Sequence, residues 1–405
     1  MRIGLLSYEY PPETGFGGIG TYTWYQARAL AKLGHEVHVL AGATTPAALR
    51  RDDHDGVRVH RYRWSGPMRR ALTPLARPRL FLTRNRIENG LGMYLGFKKL
   101  GRGLDFDVLE MPECGAEGLL VNYLTRTPTV VKFHSPAKLI MGDYDVTRAD
   151  HVLCAIIEKA AFRGARGYTA GSRFLAQEVT TRLGVRRPVT VIPNGIDLNL
   201  FDAAEELDAR EKFGLSRDRL MIFFSGRMER RKGVHLLKEI AAAVLTRPDV
   251  ELVLAGDDLF GYAERELLPS LRSKPLRGSV RFLGKLDAVS LRSCLRQADI
   301  FLIPSLWENC PYACLEAMAA GRAIVSSDAG GLPELIQHER NGLLARNQEV
   351  SSYVKQVELL IEDRALRDRL GETARRTVAE SFTDVRVAEA SVAYYRGCVE
   401  SGVIP

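Results

Sequence analysis

Cysteine is scarce in this 405-residue chain: six residues, at 114, 154, 294, 310, 314 and 398, with no Cys-x-x-Cys pair among them. There is no disulfide framework to read. Cys310 and Cys314 have no second Cys or His pair nearby to complete a zinc site, so both read as buried or incidental thiols. Long apolar runs are missing too. None reaches the roughly 18 to 20 residues that span a bilayer, and the first residues form no charged-then-apolar leader, so a cytoplasmic protein is expected, at most peripheral at the inner face of a membrane. Acid is short in the first half alone: residues 1–200 hold 28 Lys and Arg against 18 Asp and Glu, residues 201–405 hold 29 against 31. The excess concentrates in VRVHRYRWSGPMRRALTPLARPRLFLTRNRI, residues 57–87, with nine arginines, no acid, and Trp64, Leu72, Leu75, Leu80, Phe81 and Leu82 interleaved. A solvated basic loop and a contact for an anionic partner, either a membrane surface or a phosphorylated acceptor, both fit that stretch. No nucleic-acid module signature accompanies it, so nucleic acid is not an expected partner.

What is present is the balance of a soluble globular protein, 46% hydrophobic and 26% charged, in a chain too long for one ordinary core. Short apolar strands alternate with helical segments twice over, the pattern of parallel sheets built from strand-helix units. The first series falls at 2–8, 35–42, 57–63, 106–111, 128–134, 167–171 and 189–193, followed by a turn-rich break, Pro193-Asn194-Gly195-Ile196-Asp197. The second falls at 219–225, 250–256, 280–284, 300–304 and 323–327, and three helical segments close the chain from 349 to about 399. The expected architecture is α/β: doubly wound Rossmann-like domains at 1–193 and 194–382, with 383–405 a helix packing back toward the first. In such sheets ligands sit beyond the carboxyl ends of the strands.

After the first strand comes TGFGGIGTY, residues 14–22, which fits the letters G-x-G-x-x-G of a dinucleotide loop. The mechanism fits less well. Six residues, including Pro11-Pro12, separate the strand from Gly15, and the next strand ends without the acid that would hold a ribose hydroxyl. Apolar spacing from Ile19 to Leu33, stopped by Gly34, makes these glycines the opening of a helix. Such a bare helix start favours an anion or a hydroxyl-rich ligand held close to the backbone.

After strand 219–225 comes GRMERRKG, where Arg227 and Lys232 would flank a helix start and clamp a diphosphate. Solvated surface charge is the plainer alternative. After strand 300–304 comes WENCPYACLE, with Pro311 placed as the first residue of a helix. Glu308 then lies in the loop and Glu316 in the helix, two carboxylates expected to face a shared cleft, and a carboxylate is a good bidentate acceptor for vicinal hydroxyls.

GGIGTY, PNGID, GRMERRKG and ENCPYACLEAMAAG together resemble the family 4 glycosyltransferases of the GT-B fold, retaining enzymes that use nucleotide-sugar donors, over nearly the whole chain and in the expected order. The resemblance implies that Arg227 and Lys232 hold the donor diphosphate and stabilise it as a leaving group. It implies that Glu316 binds the ribose hydroxyls, and that Glu308, with the backbone amides of Asn309 and Cys310 after it, holds the donor sugar. His134, in VVKFHSP, matches the histidine near the transferred sugar, and Gly17 and Gly18 match the loop that approaches the donor phosphates or the acceptor. Many members have Gly-Phe-Gly where this chain has Asn309-Cys310-Pro311; proline lacks an N–H, so the donor sugar stays open. The family needs no metal and no cofactor. Asp105-Phe106-Asp107 and Asp143-Tyr144-Asp145, which have the form D-x-D, read as structural. No carboxylate offers itself as a covalent nucleophile, which favours front-face displacement. A nucleotide-sugar hydrolase or epimerase of the same fold, a phosphorylase-like enzyme with pyridoxal, and a non-catalytic nucleotide-sugar binder remain as alternatives.

Overall fold

Runs such as RIGLLS at the amino terminus and VELVLA at 250–255 have no polar alternation, because parallel strands are covered on both faces. The computed structural model describes residues 1–15, 17–45, 47–63, 80–101, 103–140, 146–202, 207–259 and 261–400. The middle of the basic segment, 64–79, which includes Trp64, Leu72 and Leu75, and the triplet Asp143-Tyr144-Asp145 lie outside the described residues. The chain forms two compact units. One holds residues 1–195 and the chain from 384 on; the other holds 196–383.

The strands of the first unit are β1 (Arg2–Ser7), β2 (Glu36–Gly42), β3 (Ala47–His54), β4 (Val57–Arg63), β5 (Val108–Pro112), β6 (Thr129–Phe133), β7 (Gly167–Ala170) and β8 (Thr190–Val191). They lie in the order β3-β4-β2-β1-β5-β6-β7-β8. Its longer helices before the crossing are α1 (Gly18–Lys32), α2 (Phe81–Leu100), α3 (Gly118–Leu124), α4 (Arg148–Arg163) and α5 (Arg173–Leu183). Local chemistry sets their ends. Ser172 caps α5 through the amide of Leu175, and Gly184, at φ +68°, ends it in the left-handed conformation.

All pairings in this sheet are parallel except β3 with β4. The strand reading above did not contain β3. Asp55 and Gly56 both have positive φ, 51° and 77°, and form the two-residue hairpin turn that joins it to β4. As an edge strand it carries Arg50, Arg51, Asp52 and Asp53, a charged border that discourages further pairing. The expected strand 189–193 contracts to two residues.

The second unit has β9 (Leu220–Ser225), β10 (Val250–Ala255), β11 (Ser279–Phe282), β12 (Ile300–Ile303), β13 (Ala323–Ser327) and β14 (Leu343–Ala345), in the order β11-β10-β9-β12-β13-β14. All its pairs are parallel, and β14 is a further strand that the apolar pattern did not mark. Its longer helices are α6 (Val234–Val244), α7 (Ala288–Gln297), α8 (Tyr312–Ala319), α9 (Val350–Glu362) and α10 (Arg364–Ser381). Leu237, Ile240, Leu252, Leu254, Val325, Tyr353 and Leu360 share its core.

The last helix, α11 (Asp384–Glu400), belongs to the first unit. Lys32 of α1 pairs with Asp384 at 3.1 Å, and the amide of Tyr168 donates to the Tyr394 hydroxyl at 2.8 Å. Gly167 permits that approach: a Cβ there would stand 2.8 Å from both Cys398 Sγ and the Tyr394 hydroxyl. Deeper in, Glu110 of β5 accepts from Tyr395 at 2.6 Å and from Tyr22 at 2.7 Å. Removing one donor from a buried carboxyl group costs about 1–3 kcal/mol. Tyr395→Phe should therefore lower the thermal midpoint of the full chain; an unchanged midpoint would mean that the Tyr395–Glu110 bond does not help to hold α11.

Candidate functional site

In the second unit the chain runs from β9 outward to β10 and β11, then returns to β12 on the other side of β9 and continues to β13 and β14. The loops after β9 and β12 therefore part at the place where an open parallel sheet forms its crevice. Glycine lets the chain crowd there. Gly233 has φ +74°, and a Cβ on it would fall 1.9 Å from the Pro304 carbonyl oxygen. A Cβ on Gly256, at φ +146°, would likewise fall 1.8 Å from the Gly226 carbonyl oxygen. The Leu306 amide donates to the Arg231 carbonyl at 2.8 Å.

This packing brings Lys232 Nζ to 2.5 Å from Glu308 Oε1. Arg231, buried beside them, reaches Glu308 Oε2 at 3.6 Å, the Trp307 carbonyl at 3.2 Å and Glu229 Oε1 at 3.0 Å. Arg227 closes the series on the same Glu229 oxygen at 3.2 Å, with its own side chain exposed. Burial alone would raise the Glu308 pKa; Lys232 and then Arg231 more than reverse this, so the carboxylate lies below its usual range. From behind, Gly330, at φ +62°, stands against the Glu308 carbonyl, and the Gly331 amide donates to that carbonyl at 2.9 Å.

Pro311 is extended, with φ −74° and ψ 132°, and α8 begins at Tyr312. The proline thus precedes the helix instead of opening it, and its carbonyl accepts the amides of Cys314 and Leu315 at 3.1 and 3.3 Å. Asn309 and Cys310 are buried in the turn. Glu316 is half-buried on α8, and its carboxylate makes no hydrogen bond or ion pair among the described residues. Burial raises its pKa to about 7 against the opposing charge of Arg292. The two carboxylates expected to face one cleft share no partner: Glu308 is spent on cations, Glu316 is not.

The first unit has its own point of divergence, between β1 and β5. His134 follows β6 and is buried. Its amide and that of Ser135 donate to the two oxygens of Glu113 at 2.9 and 2.6 Å, and its ring meets Tyr22 edge-on at 5.0 Å between centroids. Burial, and then Lys132, push its imidazole pKa down to about 3. Gly17 caps α1 and Gly18 opens it; a Cβ on Gly18 would meet nothing within 4 Å. The helix start already faces a carboxylate, since the Gly20 amide donates to Glu9 at 3.3 Å. Glu117 accepts the Tyr8 amide at 3.3 Å, and burial raises its pKa to about 7. Beside these loops a cavity of about 260 Å³ is lined by Tyr8, Tyr62, Arg84, Asn85, Glu88 and Asn89 among others. Asp105-Phe106-Asp107 lies at the other end of the sheet, where Asp107 accepts the Arg2 amide at 2.7 Å.

Residues 205–377 match the family model of group 1 glycosyl transferases, and residues 16–200 match that of glycosyltransferase family 4. The solved Anabaena protein HepE, in complex with UDP and glucose, superposes with a TM-score of 0.72 at 19% identity, covering 98% of this chain and 100% of that one. The chain is a family 4-like glycosyltransferase of the GT-B fold. An uncharacterized glycosyltransferase of Methanocaldococcus jannaschii is 29% identical over 99% of both chains. A D-inositol 3-phosphate glycosyltransferase of Paenarthrobacter aurescens is also 29% identical, over 98% of this chain and 97% of its own.

The motifs of this glycosyltransferase marked Lys232, Glu308 and Arg227, which the structure links through Glu229 and Arg231. The last two were not singled out. Arg231 follows Arg230 in the sequence, yet the first is buried and the second exposed, and nothing in a run of basic letters separates them. Gly330 carried a usable signal, a glycine pair just after a strand. Glu9 and Glu113 carried little, since acids at strand ends are common.

The depressed pKa of His134 has a stability consequence. An unfolded imidazole takes a proton near pH 6.5 that the folded one refuses until about 3, so stability from this residue is present above 6.5 and lost as pH falls below it. The loss by pH 5 is about 2 kcal/mol. His134→Asn should flatten the fall in unfolding free energy between pH 7 and 5 by about that amount, and an unaltered slope would show that the ring titrates normally.

Proposed function

We propose that this glycosyltransferase is a retaining enzyme that moves a sugar from a nucleotide-diphosphate sugar, UDP- or GDP-linked, to an acceptor hydroxyl without metal or cofactor. Its place would be in cell-envelope, exopolysaccharide, glycolipid or secondary-metabolite synthesis. One observation carries the reading: Lys232 and Glu308 meet at the crevice between β9 and β12, with Arg227 exposed at the rim. Three cations there, Arg227, Arg231 and Lys232, face two carboxylates, Glu229 and Glu308. The surplus positive charge suits an arriving diphosphate.

In this scheme the bond from the anomeric carbon to the diphosphate breaks while the acceptor oxygen bonds to the same face of that carbon. The acceptor's proton passes to the leaving phosphate oxygen, whose charge Arg227 and Lys232 neutralise. Glu316, whose carboxylate makes no hydrogen bond among the described residues, accepts the ribose hydroxyls; Glu308 and the amides of Asn309 and Cys310 orient the sugar; neutral His134 offers a ring nitrogen without charge repulsion. Gly17 and Gly18 leave room for ligand at the start of α1. The cavity of the first unit takes the acceptor. HepE, with bound UDP and glucose, supports a UDP-sugar, and the relative named for D-inositol 3-phosphate supports an anionic acceptor. The basic segment 57–87 supports an anionic or lipid-linked one, met at a membrane where the protein is peripheral.

Transfer in excess chelator should proceed at the normal rate, and Arg227→Ala or Lys232→Ala should each lower turnover about a hundredfold, the effect of roughly 3 kcal/mol. Complete loss in chelator restored by a divalent ion would overturn the metal-free scheme, and normal kinetics in both variants would remove the clamp.

The carboxylates are separable by calorimetry. Glu316→Gln should weaken the free nucleoside diphosphate and the donor by similar factors, because both carry the ribose. Glu308→Gln should weaken the donor and spare the free nucleotide; the reverse pattern would exchange their roles.

A further inference from the structure

The two acids of α4 point inward. Asp150 accepts the amides of Leu82 and Thr83 at 2.9 and 2.8 Å, and Glu158 holds Arg86 at 3.1 Å and the Ala137 amide at 2.8 Å. The face left outside therefore carries no negative charge. Val152 and Leu153 on one turn and Ile156 on the next are exposed to 50, 39 and 58%, and the exposed cations Arg148 and Arg163 stand at the two ends of the helix.

Neighbouring helices extend this stripe. Tyr123, whose hydroxyl donates to the Ala160 carbonyl at 2.6 Å, and Leu124 are exposed at the end of α3, followed by exposed Arg126. At the other end Phe81 is 59% exposed as the first residue of α2, whose next two amides are those bonded to Asp150. The exposed large apolar residues described in the second unit, Leu259, Val289 and Leu359, are by contrast on separate elements. A contiguous apolar patch marks an interaction surface. A second copy of the same face would set Arg148 and Arg163 against their own kind, whereas a surface of anionic headgroups over acyl chains answers both the cations and the apolar stripe.

We propose that this α2-α3-α4 face rests on an anionic bilayer. Phe81 also lines the cavity of the first unit, so the cavity opens at the bilayer surface and takes a lipid-linked acceptor from it. This second step rests on the reading of that cavity as the acceptor site; the bilayer contact does not.

The full chain is sedimented with vesicles of phosphatidylcholine alone and of phosphatidylcholine with phosphatidylglycerol. Binding is expected to the anionic vesicles only, falling about tenfold between 0.1 and 0.5 M salt. The double variants Val152→Ser with Ile156→Ser, and Arg148→Glu with Arg163→Glu, are expected to lower it at least about tenfold, with melting and UDP affinity unchanged. Absent binding, equal binding to neutral vesicles, or binding undiminished in both variants would overturn the proposal. So would self-association abolished by the serine variant, which would make the face an interface between copies. A wild-type chain that binds these vesicles and no nucleoside diphosphate would sink the donor reading instead and leave the bilayer contact standing.

Discussion

A carboxylate taken out of water must be met by charge or by hydrogen bonds, and the contact between Lys232 and Glu308 is where the second unit meets that demand. The contact fixes much around it. For the ammonium to come within 2.5 Å of the carboxylate, the loops after β9 and β12 must lie against each other, which glycine at 233 allows by leaving the Pro304 carbonyl unobstructed. Glycine at 330 does the same behind Glu308. Arg231 then serves two acids at once, and Arg227 is oriented through one of them. Removing one member of such a buried set typically costs about 3–5 kcal/mol, so the arrangement is preorganised by its own requirement for neutrality.

The first unit meets the same demand with backbone amides. Glu113 accepts from His134 and Ser135, Glu9 from Gly20, and Glu117 from Tyr8. These bonds fix the loop ends after β1, β5 and β6, and burial, with Lys132 nearby, keeps His134 neutral.

Much of this was legible in the sequence. The uniformly apolar strands, the alternation with helices and the glycine punctuation define two doubly wound sheets, because parallel strands buried on both faces leave an unmistakable pattern. The motifs also picked out Arg227, Lys232 and Glu308, which the structure brings together through Glu229 and Arg231. What escaped depends on contacts between distant segments. β3 reads as charge, AALRRDDH, and its only signal was Asp55-Gly56; the turn, not the strand, carried the information. The burial of Arg231 and the failure of Glu308 and Glu316 to share a partner follow from how a loop turns, and Pro311 redirects that loop one residue before the helix begins.

The return of α11 to the first unit makes the second unit an insertion within the first. Synthesis runs from the amino end, and domains form as the chain emerges. Residues 196–383 can therefore complete their contacts before the ribosome has delivered Tyr395, while Glu110, made almost three hundred residues earlier, still lacks one of its two hydroxyl donors. The unit begun first is finished last, only once the chain has been made through Tyr395.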